Sequence, residues 1–167
     1  MPVTWEVNGG KSGYVVEIAQ NDDATPLAAG DVVVISGAGP AVVGQIPVIK
    51  VRRAAAGETS AVVGVVDQHY VPVPTSPTKD LPGKAASLDD AAIHPGEYLT
   101  VVTLGAYKAI KVDASYGAIA PGDLLVASPN PGYAMRATAP EPGTIIGKAL
   151  GALGSGTGVL PVIITLQ

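Results

Sequence analysis

The chain has 167 residues, of which 47% are hydrophobic and only 14% charged, with a formal net charge of −4 and no cysteine. The apolar content excludes a disordered chain, which needs low hydrophobicity and high charge, and the acidic balance argues against nucleic acid as a partner. Without a thiol there is no disulfide frame, no thiolate nucleophile and no cysteine-based metal site.

In chain order, the first residues, MPVTWEVNGGKSGY, carry no apolar stretch behind a basic one, so no signal peptide is visible. They hold Trp5, the only tryptophan, which offers the largest single area for a contact with a neighbouring subunit. Twenty-one glycines and fifteen prolines leave no room for a long helix. Between them lie short β-branched runs of strand length: 13–18, 31–35, 41–51, 60–66, 98–104, 107–112, 123–127, 134–137, 144–150 and 159–166. Such runs at this spacing predict an all-β chain, a β-barrel or β-sandwich. One stretch differs: residues 84–93 are Ala-rich with Ser87 as a candidate N-cap, and predict a short helix. It follows a Pro-rich segment, 71–82, expected to be an extended arm. No apolar run is long enough for a bilayer span, so no membrane partner is expected.

A weak internal repeat divides the chain. Leu27-Ala28-Ala29-Gly30-Asp31-Val32-Val33-Val34 matches Ile119-Ala120-Pro121-Gly122-Asp123-Leu124-Leu125-Val126. Further on, Ala61-Val62-Val63-Gly64-Val65 matches Thr144-Ile145-Ile146-Gly147-Lys148, and Ile46–Val51 is similar to Tyr107–Val112. Two related β units, 1–70 and 98–167, separated by an arm and helix over 71–97, account for this. In each Gly-Asp element the glycine supplies the positive φ of a tight turn, and the aspartate bonds to nearby amides. Gly30, Asp31, Gly122 and Asp123 are therefore read as structural turns.

No catalytic constellation assembles. His69 and His94 are the only histidines and lie beside apolar residues or proline, where a structural role outweighs that of a base or ligand. Neither HxH nor HExxH occurs, and a site joining His69 to Asp67 has no further ligand at short spacing. Asp31 and Asp123 sit in equivalent turns and would form an acid/base pair only if the repeat brought them together; capping is the simpler role. Asp22-Asp23 and Asp89-Asp90 lack the spacing of a calcium loop. The glycine-rich 151–158 has no Lys-Ser/Thr ending and reads as a hairpin loop, and no serine lies in a GxSxG elbow. No catalytic residue, cofactor or metal is expected.

The final third, with Pro121–Val126, Pro131–Met135, Gly143–Leu150 and Val159–Leu166, resembles a C-terminal β module of phage tail and tail-spike proteins and of bacterial surface proteins. It is similar to the end of the self-cleaving chaperone domain of tail spikes. The first third, at Ala28–Ile35 and Ala54–Val66, resembles the capsid-decoration family of tailed phages. The resemblance implies a β virion or surface component, often trimeric, that partners with itself as trimer or polymer or with a major capsid or tail protein. An autoproteolytic chaperone module and a carbohydrate-binding module using Trp5 and Tyr133 are the competing readings. The expected interface comprises Trp5, Val71, Pro72, Pro74 and Ile163. Val162, Ile163 and Ile164 are consecutive apolar residues and predict a final strand buried on both faces, with Pro161 placing a bulge or edge at its start.

Overall fold

The computed structural model describes residues 13–43, 46–71 and 87–167. Ten strands follow one another: β1 (Tyr14–Asn21), β2 (Val32–Val43), β3 (Ile46–Arg53), β4 (Val62–Val71), β5 (Ser87–Asp89), β6 (Tyr98–Asp113), β7 (Leu124–Ala127), β8 (Ala134–Arg136), β9 (Ile145–Ala149) and β10 (Thr157–Ile164). The all-β class expected from the punctuation is the class observed. All ten strands belong to one sheet that closes on itself.

The closure runs through β6. Its first half pairs with β1 and β4, and the circuit β1–β3–β2–β4–β6 forms one ring of five strands. Its second half pairs with β10 and β8, and β6–β8–β7–β9–β10 forms another. Closure leaves few free backbone edges.

The two rings are copies at the level of single bonds. In the first, Leu27 and Ile93 exchange backbone bonds; in the second, Ile119 and Leu153 do so. Gly30 donates to Val66 and Gly122 to Ala149, while Val66 and Ala149 donate back to Asp31 and Asp123. The register Val32↔Val65, Val33↔Gly64, Val34↔Val62 is repeated as Leu124↔Lys148, Leu125↔Gly147, Val126↔Ile145, with the same irregularity after the second pair. The likeness of Ile46–Val51 to Tyr107–Val112 has no such counterpart. The former is β3, whose equivalent is β8, and the latter is in the half of β6 equivalent to β1.

Two apolar clusters fill the structure. Ala19, Leu27, Val33, Val51, Val66, Ile93, Leu99 and Val101 lie within the first ring. A larger cluster fills the second ring and also takes in Val32, Val34, Val65 and Val102. Strands β2, β4 and β6 are thus buried on both faces where the rings meet, which explains the unbroken Val32-Val33-Val34 run.

Two expectations fail. The segment expected as a helix over 84–93 has Ser87–Asp89 as strand β5, paired with His69, Tyr70 and Val71, and 84–86 lie outside the described residues. The Asp89 carboxylate accepts the Ala91 amide, a local bond that competes with helix, and Ile93 is drawn into the core opposite Leu27. Tertiary pairing overrides local helix propensity, a weak prior even where alanine, the best helix former, is present. Ala114–Tyr116 form the only helical turn among the described residues. The second failure is the double burial of the last strand. Val162 and Ile164 are fully buried, whereas Ile163 between them is 37% exposed. β10 has one buried face, because nothing in the described residues covers its other side. Its register does shift between Leu160 and Val162, where Pro161 has no N–H to offer the ladder.

Candidate functional site

Chemistry-bearing side chains gather in four places. The first is the Gly30-Asp31 turn. Gly30 has φ +89°, and the Ala28 amide donates to Asp31 Oδ2 at 2.8 Å. Gly122, at φ +91°, and the Ala120 amide donating to Asp123 Oδ2 at 2.9 Å repeat the arrangement. The surroundings differ. Asp31 is 1% exposed and lies 2.7 Å from Lys111 Nζ on β6 and 3.3 Å from the Arg53 guanidinium. Among the described residues, the charged partner of Asp123 is Arg136, at 3.5 Å on the surface. Each aspartate has its own partners, so the two do not pair as acid and base. Asp31 clamps the first ring to the second, beside the bonds from Lys111 to Gly30 and from Val32 to Gly132.

The second place lies under β1. Asp67 is 6% exposed and accepts bonds from the Tyr14 hydroxyl at 3.0 Å and the Tyr107 hydroxyl at 3.1 Å, the two rings meeting edge to face at 5.3 Å. Burial, then the Asp67 charge, pushes the Tyr14 phenol up to about 12. Tyr107 is pushed up further by the same causes. These phenols therefore keep their protons and serve as hydrogen-bond donors to the buried Asp67 carboxylate, not as bases.

At the third, His69 lies between carboxylates, with Nδ1 3.0 Å from Asp89 and Nε2 3.3 Å from Glu97. Asp89 is held below the usual carboxylate range by the Ala91 amide first and by His69 next. Both ring nitrogens are engaged, and among the described residues no hydroxyl nucleophile is a partner. His94 meets Glu97 through its backbone, its amide donating to the carboxylate and its carbonyl accepting the Glu97 amide. Among the described residues no cluster of three or more His, Asp or Glu has the geometry to hold a metal. Asp22 pairs with Lys50 and Ser36, and Asp23 accepts the Thr25 and Arg53 amides.

The fourth is apolar. Seven large hydrophobic side chains stand exposed among the described residues, and four of them, Leu104, Leu150, Val159 and Ile163, belong to β6, β10 and the end of β9. Val159, Pro161 and Ile163 alternate along the outer side of β10. Leu150 donates its amide to Pro161, and Ile163 stands opposite Ala106 and Lys148. Of the residues expected at an interface, Ile163 is here. Val71 ends β4 opposite Ser87, and Trp5, Pro72 and Pro74 lie outside the described residues. Leu104, Leu150 and Val159 were not singled out from sequence. The run 159–164 is apolar without alternation, so the sequence carries no signal that separates its exposed positions from its buried ones. The Tyr14–Asp67–Tyr107 contact, spanning separations of 53 and 40 residues, left none.

No protein-family model matches the chain, and no curated protein does either. Among solved structures, the chain is similar to the head fiber gp8.5 N base of bacteriophage phi29, with 17% sequence identity and a TM-score of 0.49. The match covers 90% of this chain and 93% of that one.

Proposed function

We propose that this chain is a non-enzymatic structural protein of a phage virion, of the capsid-decorating kind, that works by packing against copies of itself on a larger assembly. The observation that carries the reading is the outer face of β10. Val159 and Ile163 stand exposed there, with Leu104 on the neighbouring β6 and Leu150 just after β9 also exposed, on a chain with unusually little charge. Grouped apolar exposure of this sort marks a contact surface. The commitment of Asp31, Asp67 and His69 to internal partners favours a structural over a catalytic role. The sequence resemblance of Ala28–Ile35 and Ala54–Val66 to capsid-decoration proteins supplies the virion setting. The test is light scattering coupled to size separation, with negative-stain microscopy. Trimers, polymers or decorated shells are expected, and a monomer at every concentration overturns the reading.

A further inference from the structure

We infer that His69, held between Asp89 and Glu97, is a pH-sensitive clasp: while its ring is protonated it fastens strand β5 and the turn before β6 to β4, and when the ring becomes neutral it releases them. Nδ1 lies 3.0 Å from Asp89 Oδ1 and Nε2 lies 3.3 Å from Glu97 Oε2, so a carboxylate oxygen faces each ring nitrogen. An ionised carboxylate only accepts, and a neutral imidazole has a single N–H. The neutral ring can thus donate to one carboxylate at most, in either tautomer and either ring orientation, whereas the imidazolium donates to both. The carboxylates are also fixed independently of the ring. Asp89 Oδ1 accepts the Ala91 amide at 3.0 Å, and Glu97 Oε2 accepts the His94 amide at 2.8 Å. Neither is free to turn away when the ring loses its charge.

Little else holds the element in question. β5 is three residues long, exposed throughout, and pairs with β4 alone among the described strands. Asp89 ends β5 opposite His69, and Glu97 immediately precedes β6, so one ring ties both ends of the segment 89–97 to β4. Between them Ile93 is buried opposite Leu27. The other charged and titratable neighbours have their own partners or positions. Asp90, after β5, accepts from Gln68 Nε2 at 3.3 Å, and His94, in the turn, meets Glu97 through its backbone. β6 sets Leu99 opposite His69 and Tyr98 opposite Tyr70, and Asp67, two residues back on β4, is held by Tyr14 and Tyr107. Among the described residues no lysine or arginine pairs with Asp89 or Glu97. Imidazolium is the form present below a histidine's ordinary value of about 6.5. The clasp is therefore closed in mild acid and opens as pH rises through the titration of the ring. It is lost again in strong acid, for Asp89 below the ordinary 3.8, because the Ala91 amide first and His69 next hold that carboxyl down. The Asp89 and Glu97 side chains are 49% and 41% exposed, so salt should weaken the closed form. The second ring contains no histidine, and its equivalent bridge, Ile119 with Leu153, is a built-in control.

The experiment follows amide hydrogen exchange of the full chain at about pH 5.5 and about pH 8.5, on either side of the ordinary histidine titration, with rates corrected for the intrinsic effect of pH. In the wild type the amides of Ser87–Ala91 should exchange several-fold faster at the higher pH, while those of Ile119 and Leu153 exchange equally at both. Nuclear magnetic resonance of the His69 ring should show both nitrogens protonated where β5 is protected. The second proton should leave over the same pH interval in which protection falls. His69→Gln should remove the pH difference and His94→Gln should keep it. Sodium chloride at about 1 M, where charges are screened within a few ångströms, should shrink it. Equal corrected rates at both pH values in the wild type overturn the inference. So does a pH difference that survives in folded His69→Gln, or one shared by Ile119 and Leu153, which would mark loosening of the whole chain. Circular dichroism checks the fold of each variant. Where His69→Gln fails to fold, the wild-type measurement decides: loss of the ring proton without loss of β5 protection overturns the clasp, and coincidence of the two supports it.

Discussion

At the scale of single residues, the repeat tells equivalent positions apart by their surroundings. Asp31 and Asp123 occupy the same turn, and capping alone would make each worth about 1 kcal/mol. Asp31 is also a buried partner of Lys111 and Arg53, so Asp31→Asn should cost about 3–5 kcal/mol, the range for breaking a buried pair. Asp123→Asn, beside a surface arginine, should cost no more than about 1 kcal/mol. Urea denaturation of the two variants measures the difference, and equal costs would show that Asp31 acts only as a cap. The glycines of the second repeat word are required for a different reason from those in the turns. A Cβ on Gly64 would sit 2.0 Å from the Val102 carbonyl oxygen, and one on Gly147 would sit 2.0 Å from that of Ile163. Gly64→Ala or Gly147→Ala should therefore abolish folding, whereas Gly96→Ala, with open space at its Cβ, should cost about 1–2 kcal/mol of backbone strain.

The tyrosine pair gives a pH prediction. Tyr14 and Tyr107 hold their protons more tightly in the fold than in the unfolded chain, where a phenol titrates near its ordinary value of 10.0. Above that value the folded chain binds more protons than the unfolded one, so stability falls as pH rises, through about 12 for Tyr14. The contribution is fully present below pH 10. Denaturation midpoints followed from pH 9 upward should fall in the wild type, and fall less steeply when Tyr14→Phe is combined with Tyr107→Phe.

At the scale of elements, β10 and β2 show how one apolar run can mean two things. Val32, Val33 and Val34 are buried on both faces because the second ring packs on the outside of the first. Val162, Ile163 and Ile164 have the same chemistry, but only the inner positions are covered. Ile164→Ala should accordingly cost about 2–5 kcal/mol, as cavity-forming changes do. Ile163→Ala should stay within about 1 kcal/mol for the isolated chain, since only part of its surface is withdrawn from water. If Ile163→Ala is as costly as Ile164→Ala in the monomer, the outer face is covered by the chain itself.

At the scale of the whole molecule, sharing β6 makes the two rings interdependent. The first ring lacks its fifth strand until Tyr98–Val102 are in place, and the second begins with the rest of the same strand. A fragment of residues 1–97 should therefore remain unfolded by circular dichroism, and the full chain should unfold in a single transition when several probes are compared. An independently folded 1–97 would mean that the first ring closes without β6.

The sequence by itself determined the strand class, nearly every strand, the Gly-Asp turns and the repeated turn-and-strand words. Each of these is local: β-branched runs between Gly and Pro punctuation, and a turn whose φ only glycine adopts easily, are written into a few adjacent residues. Tertiary structure decided the rest. Residues 98–104 and 107–112 read as separate runs but form one strand, because the two halves find different partners. Residues 87–89 turned from expected helix to strand because β4 offered them a ladder. The Asp31 clamp joins side chains 80 residues apart, and Asp67 meets its tyrosines across 53 and 40. The covering of Val33 and the exposure of Ile163 likewise follow from what packs against each face. Burial is set by neighbours brought in from far along the chain, and no periodicity within a strand encodes whether a second layer covers it.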